Sequence, residues 1–142
     1  MVTLHPQLAE DSVEIGQFLL SKLLLMRDAN YPWLVLVPAR EGVTEIYQLD
    51  EADQQQLQRE SSCVAKLLAE EFNADKINIG ALGNIVPQLH VHHIARYEDD
   101  LAWPAPIWGA HPASEYSASE LEVIVNKVKK ALVDRFDFLP VS

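Results

Sequence analysis

Three of the five histidines stand close together, at positions 90, 92 and 93, within the stretch from Val86 to Ile94. In an extended strand successive side chains point to opposite faces, so Gln88, His90 and His92 share one face and His93 lies on the other. Positions two apart on a strand lie roughly 6.5 to 7 Å apart, which lets both imidazoles reach one small ligand group. The pattern suits a histidine nucleophile with a neighbouring hydrogen-bond donor, or a pair of metal ligands.

A glycine-containing segment, Asn78-Ile79-Gly80-Ala81-Leu82-Gly83-Asn84, precedes the histidines. Glycine lets a backbone turn tightly and approach a ligand closely, and an asparagine side chain adds a hydrogen-bond donor. A metal site has no need for such a loop, so the segment favours phosphate binding. The metal alternative stays open, because His90 and His92 with Asp99, Asp100 or His111 offer ligands of the right types.

Taken together, Asn78-x-Gly80, Gly83-Asn84 and Gln88-Leu89-His90-Val91-His92 resemble the histidine triad (HIT) family of nucleotide hydrolases and transferases. The segment Tyr31–Arg40, an apolar run between two prolines, resembles that family's second strand segment, so the likeness covers about residues 15 to 97. In this alignment Gln88 occupies the first triad position, which marks a divergent branch. Trp33 stands where many members carry a fourth histidine.

The resemblance implies catalysis at the α-phosphate of a purine nucleotide conjugate, through a covalent nucleotidyl-histidine. The nucleophile then falls on His90, while His92 donates a hydrogen bond to a phosphate oxygen or the leaving group. Gln88 can orient the leaving group, but its carboxamide cannot pass a proton as an imidazole can. An imidazole suits the nucleophilic role because its ordinary pKa near 6.5 leaves much of it neutral at pH 7.

The resemblance also implies residues that bind the nucleotide. Asn78, Gly83 and Asn84 would surround the phosphate, and Arg96 would contact the phosphate or a loop carboxylate. Asp28, in the turn before Trp33, is the candidate for the ribose hydroxyls. Triad chemistry implies no metal and no cofactor, and family members are commonly homodimers.

Two other classes of function remain open from the residues alone. One is a nucleotide-binding or regulatory protein that has lost efficient catalysis, which the glutamine at position 88 and the tryptophan at position 33 allow. The other is a metal-binding protein built on the His-x-His pair.

Composition limits the partners. The formal net charge of -10 argues against a nucleic acid polymer or an anionic membrane as the main partner. The most apolar run, Phe18 to Met26, is far shorter than the roughly 20 residues that cross a bilayer. A single cysteine, Cys63, is typical of a reducing compartment, so we expect a cytoplasmic protein.

The elements predicted to position the histidines form one domain over residues 1–142, an α+β, HIT-like fold with a mainly antiparallel five-stranded sheet. A long helix is expected from Asp50, and a C-terminal helix from a capping box at Ser117 and Glu120. The Glu41-Gly42 turn predicts a strand over residues 43–47. The proline-rich, aromatic segment over residues 97–109 is interpreted as an ordered loop, either a lid or a partner contact.

Overall fold

The computed structural model describes residues 2–133, 135 and 137–141. Over these residues the chain forms an antiparallel sheet with helices packed on it. The strands are β1 Ser12–Gln17, β2 Ser21–Met26, β3 Trp33–Pro38, β4 Lys76–Ala81, β5 Val91–Arg96 and β6 Leu139–Pro140. The helices are α1 Pro6–Glu10, α2 Glu51–Glu71 and α3 Ala118–Leu132.

The strand order β4-β5-β3-β2-β1-β6 places β5, which carries His92 and His93, between β3 and β4. In the register of β3 with β5, Val35 pairs with His92 and Leu34 with His93. On the other side of β5, Gly80 pairs with His92. Paired residues share a face of the sheet, so this register determines which side chains surround each histidine.

Helix α2 covers one face of the sheet. It begins after Asp50, whose side chain accepts a hydrogen bond from the backbone N–H of Asp53, as predicted. Val64 and Leu68 are fully buried in the core on this face. The burial of this apolar stripe is the main source of stability for a helix of this kind.

The C-terminal helix α3 has the predicted capping box. The Ser117 hydroxyl accepts from the backbone N–H of Glu120, and the Glu120 carboxylate accepts from the backbone N–H of Ser117. Val128 and Leu132 of α3 are buried in the same core as α2. No helix among the described residues is long and apolar enough to cross a membrane.

The predicted strand over residues 43–47 was wrong. A short 3-10 helix, Ile46–Gln48, takes its place, and Glu45 with Gln48 forms a capping box there. The Gln48 side chain accepts from the backbone N–H groups of Thr44 and Glu45. These local hydrogen bonds use the donors that a strand would have given to a ladder.

The sheet also differs from the predicted one in two details. Over the described residues it contains six strands rather than five, because Leu139 and Pro140, late in the chain, pair with β1. The histidine strand begins at Val91 rather than near Val86. Pro87 lacks an N–H group to give to a ladder, and residues 82–90 form a loop instead.

Candidate active site

His90 and His92 lie side by side, as predicted, although His90 is in the loop just before β5. Their ring centroids are 4.9 Å apart and the rings meet edge to face. Both side chains are buried, with only 6% and 5% of their surfaces exposed. The pair therefore sits in a largely dry environment, where hydrogen bonds are stronger than in water.

A backbone carbonyl sets the tautomer of His90. Its Nδ1 lies 2.7 Å from the backbone oxygen of Gln88. A carbonyl oxygen only accepts, so Nδ1 must carry the proton in this hydrogen bond. In the neutral ring the lone pair is then on Nε2, the nitrogen that is left free to act as a nucleophile.

A tryptophan sets the opposite tautomer of His92. The indole Nε1–H of Trp33 donates a hydrogen bond of 3.0 Å to His92 Nδ1. Indole nitrogen is only a donor, so Nδ1 of His92 must be unprotonated and the neutral ring carries its proton on Nε2. The two histidines thus differ in role: His90 offers a lone pair on Nε2 and His92 offers a proton.

A second tryptophan, Trp108, packs against the other side of His92. Their ring centroids are 5.4 Å apart, and those of Trp33 and His92 are 5.5 Å apart. Gly80 leaves room for Trp108, since a Cβ added to Gly80 would lie only 3.3 Å from the end of the indole. His92 is therefore held between two indole rings in one orientation.

Burial lowers the pKa of His92 from its ordinary value to about 4. Desolvation is the largest cause, and the charges of His90 and His93 add to it, while backbone hydrogen bonding with Leu82 opposes it. At neutral pH His92 is therefore an uncharged donor.

His93 lies on the opposite face, as predicted, and is fully buried. Its Nε2 is 2.7 Å from the hydroxyl of Ser61 in α2. Burial lowers the pKa of His93 to about 4, although backbone hydrogen bonding with Val91 and Leu34 opposes the shift. This histidine joins the sheet to the helix and takes no part in the pair of His90 and His92.

The side chain of Gln88 points to the N-terminal segment and away from the histidine pair. Its Oε1 accepts from the backbone N–H of His5 at 2.7 Å, and its Nε2 donates to the backbone oxygen of Thr3 at 3.1 Å. Gln88 lies in the loop before β5, where strand alternation does not apply. Its link to His90 runs through its backbone oxygen.

Arg96 and Asn78 are brought together, but beneath a loop. The guanidinium of Arg96 is 1% exposed and forms a bidentate ion pair with Asp100, at 2.8 and 3.0 Å. It also donates to Asn78 Oδ1 and to the backbone oxygen of Ala105. Three of these four hydrogen bonds hold the loop that follows β5 and the fourth reaches β4, which leaves few N–H groups of Arg96 for a phosphate.

Asp100 is the centre of that loop. Burial alone would raise its pKa, but hydrogen bonds from Arg96 and from the backbone N–H groups of Tyr97 and Trp103 lower the pKa to about 2. The loop then folds over the face of the sheet that carries His92, and its residues Ala102 and Ile107 are buried there with Tyr31. The predicted ordered loop is therefore part of the wall of the site.

Asp28 lines a cavity of about 380 Å³ next to Trp33. The carboxylate Oδ1 accepts from the backbone N–H groups of Asn30 and Ser114, which ties the turn before β3 to the chain before α3. Met26 contributes an apolar wall to the same cavity. Asp28 and Trp33 therefore line the same cavity.

Gly83 and Asn84 lie in the exposed loop between β4 and β5. The turn is tight, since a Cβ added to Gly83 would lie 3.1 Å from the backbone oxygen of Val86. The loop leads from Gly80, which pairs with His92, back to His90. The loop therefore connects a residue paired with His92 to His90 itself.

The metal alternative lacks a matching arrangement of ligands. Among residues 2–133, 135 and 137–141, no group of three or more His, Cys, Asp or Glu side chains is placed to hold a metal ion. Asp100, one of the ligands considered for such a site, is engaged by Arg96 instead.

Three contributors to the site were not found from the sequence. Trp108 was assigned only to a loop, and nothing in its spacing indicates that it reaches His92 across Gly80. Thr3 and His5 bind Gln88 from 85 and 83 positions away in the chain. Contacts of such long range leave no periodic pattern in a sequence.

The chain matches the HIT domain family over residues 7–99. This match covers well over half of the chain, which therefore belongs to the HIT domain family. The predicted α+β, HIT-like fold is confirmed by solved structures of the family. A histidine triad protein from Bradyrhizobium japonicum is 48% identical, with a TM-score of 0.90 over 92% of this chain and 97% of that chain.

Two further histidine triad proteins have the same fold. The protein from Marinobacter aquaeolei is 44% identical, with a TM-score of 0.91 over 94% of this chain and 97% of that chain. The protein from Sinorhizobium meliloti is 42% identical, with a TM-score of 0.90 over 93% of this chain and 98% of that chain. None of the curated proteins compared with the chain matches it significantly.

Proposed function

We propose that this chain is a nucleotide hydrolase or nucleotidyl transferase that acts at the α-phosphate of a purine nucleotide conjugate. The observation that carries the proposal is the hydrogen bond of 2.7 Å between His90 Nδ1 and the backbone oxygen of Gln88. It keeps the lone pair of the neutral ring on Nε2, the form that a nucleophile needs.

The reaction has two displacements at phosphorus. In the first, His90 Nε2 attacks the α-phosphorus, a P–N bond forms, and the bond to the leaving group breaks with its electron pair on the leaving group, which takes up a proton from solvent. The positive charge that develops on the imidazole is stabilised by the hydrogen bond from Nδ1 to the Gln88 carbonyl. In the second, water attacks phosphorus and loses a proton to solvent, the P–N bond breaks, and neutral His90 is regenerated; another acceptor in place of water gives transfer.

His92 acts as a neutral hydrogen-bond donor. With Nδ1 bound by Trp33, its proton is on Nε2, which suits a non-bridging phosphate oxygen or the leaving group. Because the pKa of His92 is lowered to about 4, this form persists well below neutral pH. Gly83 and Asn84 supply further donors from the adjoining loop, a role supported by the tight turn at Gly83.

The cavity beside Asp28 supports a nucleoside as the bound part of the substrate. Its volume of about 380 Å³ suits a small molecule, and its lining combines the charged residues Glu10, Asp11, Arg27 and Asp28 with the apolar walls of Met26 and Trp33. In this proposal Asp28 accepts hydrogen bonds from the ribose hydroxyls and the apolar walls contact the base. Arg96 and Asn78 contribute by holding the loop wall.

The test is hydrolysis of a fluorogenic adenosine phosphoramidate with a strong chelator present. Turnover by the wild type that is lost in His90→Ala supports metal-free catalysis through His90. Activity that disappears with chelator and returns with one added metal supports the metal alternative instead. Asn84→Ala is the control for the loop, since it should weaken turnover without abolishing it.

A nucleotide-binding protein with little turnover is the second candidate. The observation that favours it is the commitment of both polar atoms of the Gln88 carboxamide to Thr3 and His5. The first triad position then offers nothing to a leaving group that must be protonated. Tight binding of adenosine monophosphate, with wild-type turnover no faster than that of His90→Ala across several leaving groups, would support this candidate.

We further propose a cytoplasmic homodimer. Strand β4 lies at the edge of the sheet, and Ile79 on it is 52% exposed, which leaves an apolar edge for a second copy. The single cysteine supports a reducing compartment. Sedimentation of a monomer at micromolar concentration would contradict the dimer.

A further inference from the structure

We propose that the N-terminal segment, residues 3–5, positions the nucleophile His90 by acting through Gln88. The expected effect on catalysis rests on the proposed function. Its structural part concerns the tautomer of His90, which can be measured without any substrate. Thr3, His5 and Gln88 are positioning residues in this scheme, and none of them contacts the reacting atoms.

The first step is the fit between the Gln88 side chain and the N-terminal backbone. A carboxamide presents a donor and an acceptor side by side. Gln88 uses both, accepting from the N–H of His5 and donating to the oxygen of Thr3. An imidazole has its two nitrogens on opposite sides of the ring and cannot form this pair of bonds.

The second step is that the backbone at Gln88 belongs to no regular element, although its neighbours Val86 and Leu89 are buried in the core. Residues 82–90 lie outside the sheet, and β5 begins only at Val91. The backbone N–H of Leu89 donates to the oxygen of Val43, which itself lies in an irregular stretch. The two bonds of the Gln88 side chain therefore tie this loop residue directly to the N-terminal segment.

The third step is the rigidity of the segment to which Gln88 is bound. Residues 3–5 lead directly into α1, and Leu8 of that helix is buried in a cluster with Leu24, Val35 and Val37 of the sheet. The Ser12 hydroxyl donates to the backbone oxygen of Leu8 at the other end. The segment is thus anchored to β2 and β3, and β3 pairs with β5, which carries His92.

The last step connects Gln88 to the nucleophile. The backbone oxygen of Gln88 accepts the Nδ1 proton of His90, and that bond holds the Nε2 lone pair in place. Loss of the anchor from Thr3 and His5 frees this carbonyl to move. His90 then samples the other tautomer, in which Nε2 is protonated and cannot attack phosphorus.

A matched pair of substitutions at His5 isolates the key bond. The imidazole of His5 also caps α1, since its Nδ1 accepts from the backbone N–H of Gln7. Both His5→Ala and His5→Pro remove that cap, but only His5→Pro removes the backbone N–H that donates to Gln88. The backbone at His5, with φ -53 and ψ 137, already lies in the range that proline adopts.

The direct readout is the tautomer of His90 from long-range proton–nitrogen spectra of protein with ¹⁵N-labelled histidine, assigned with His90→Gln. The wild type and His5→Ala should show one tautomer, protonated at Nδ1. His5→Pro should show a mixture, and its kcat should fall about 10- to 100-fold with little change in KM. A tautomer and a kcat in His5→Pro equal to those of His5→Ala would overturn the proposal.

Gln88→Leu provides a second variant that lacks both bonds at nearly the same size, and it decides the question if His5→Pro does not fold. It should reproduce the mixed tautomer, and a single Nδ1-protonated tautomer in a folded Gln88→Leu protein would also overturn the proposal. If the wild type hydrolyses no nucleotide, the proposed function fails, while the tautomer spectra still test the positioning.

Discussion

The indole of Trp33 donates a hydrogen bond of 3.0 Å to Nδ1 of His92. This bond and the one from His90 to the Gln88 carbonyl give two neighbouring imidazoles opposite tautomers. The His90 ring then offers a lone pair that can attack phosphorus. The His92 ring offers an N–H group to a phosphate oxygen or to the leaving group, as the proposed reaction needs.

Loss of the Trp33 donor should impair His92. Trp33→Phe keeps an aromatic ring but lets His92 adopt either tautomer, so kcat for a nucleoside phosphoramidate should fall roughly fivefold, the equivalent of one ordinary hydrogen bond. Trp33→His is the matched control, because an imidazole can donate in the same place and should retain more activity. Equal rates for Trp33→Phe and the wild type would contradict this role.

The buried histidines should make stability depend on pH. The folded pKa values of His92 and His93 are about 4, below the unfolded value near 6.5, so the unfolded chain binds more protons between these limits. The free energy of unfolding should therefore be highest above pH 6.5 and fall as the pH drops towards 4, by up to about 3 kcal/mol for each histidine. Urea unfolding at several pH values measures this loss.

A variant separates this effect from other titrating groups. His93→Gln removes one titrating ring and should make the dependence shallower between pH 6.5 and 4. Asp100, with a pKa of about 2, keeps its contribution until the pH falls below its ordinary value near 3.8. An unchanged slope in His93→Gln would show that His93 is not the source.

The ion pair of Arg96 and Asp100 should matter for stability more than for substrate binding. Arg96→Met leaves a buried carboxylate without its partner, which should cost about 3 to 5 kcal/mol in the free energy of unfolding. Arg40→Met is the control, since Arg40 is 46% exposed in its ion pair with Asp53 and its loss should cost under about 1 kcal/mol. A large rise in KM for folded Arg96→Met, with little loss of stability, would instead indicate a phosphate contact.

Gly80 should be required for the contact between Trp108 and His92. Gly80→Ala adds a methyl group 3.3 Å from the Trp108 ring, which must move by a few tenths of an ångström or push on His92. We expect a lower kcat and altered tryptophan fluorescence. The same substitution in a Trp108→Leu background should have a smaller effect on kcat, and additive effects would argue against this contact.

The sequence predicted that His92 and His93 lie on opposite faces because a strand imposes a strict alternation of faces, whereas His90 lies beside His92 although it precedes the strand. The helix starts at Asp50 and Ser117 were predictable for a similar reason, since capping depends on nearby residues. The side-chain partners of Gln88 were not predictable, whereas the contact of Arg96 with a loop carboxylate, here Asp100, was one of the two contacts expected from the sequence. Gln88 lies in a loop where no periodicity applies, and the partners of Arg96 include a backbone oxygen that only the folded loop brings near.

The most direct test of the account is to trap the covalent intermediate. Wild-type protein mixed with an adenosine phosphoramidate, quenched rapidly and analysed by intact mass and peptide mapping, should carry one adenylyl group on His90 and none in His90→Ala. His92→Ala should still form the adduct, more slowly. Turnover by the wild type with no adduct, or with the adduct on another residue, would contradict nucleophilic catalysis by His90.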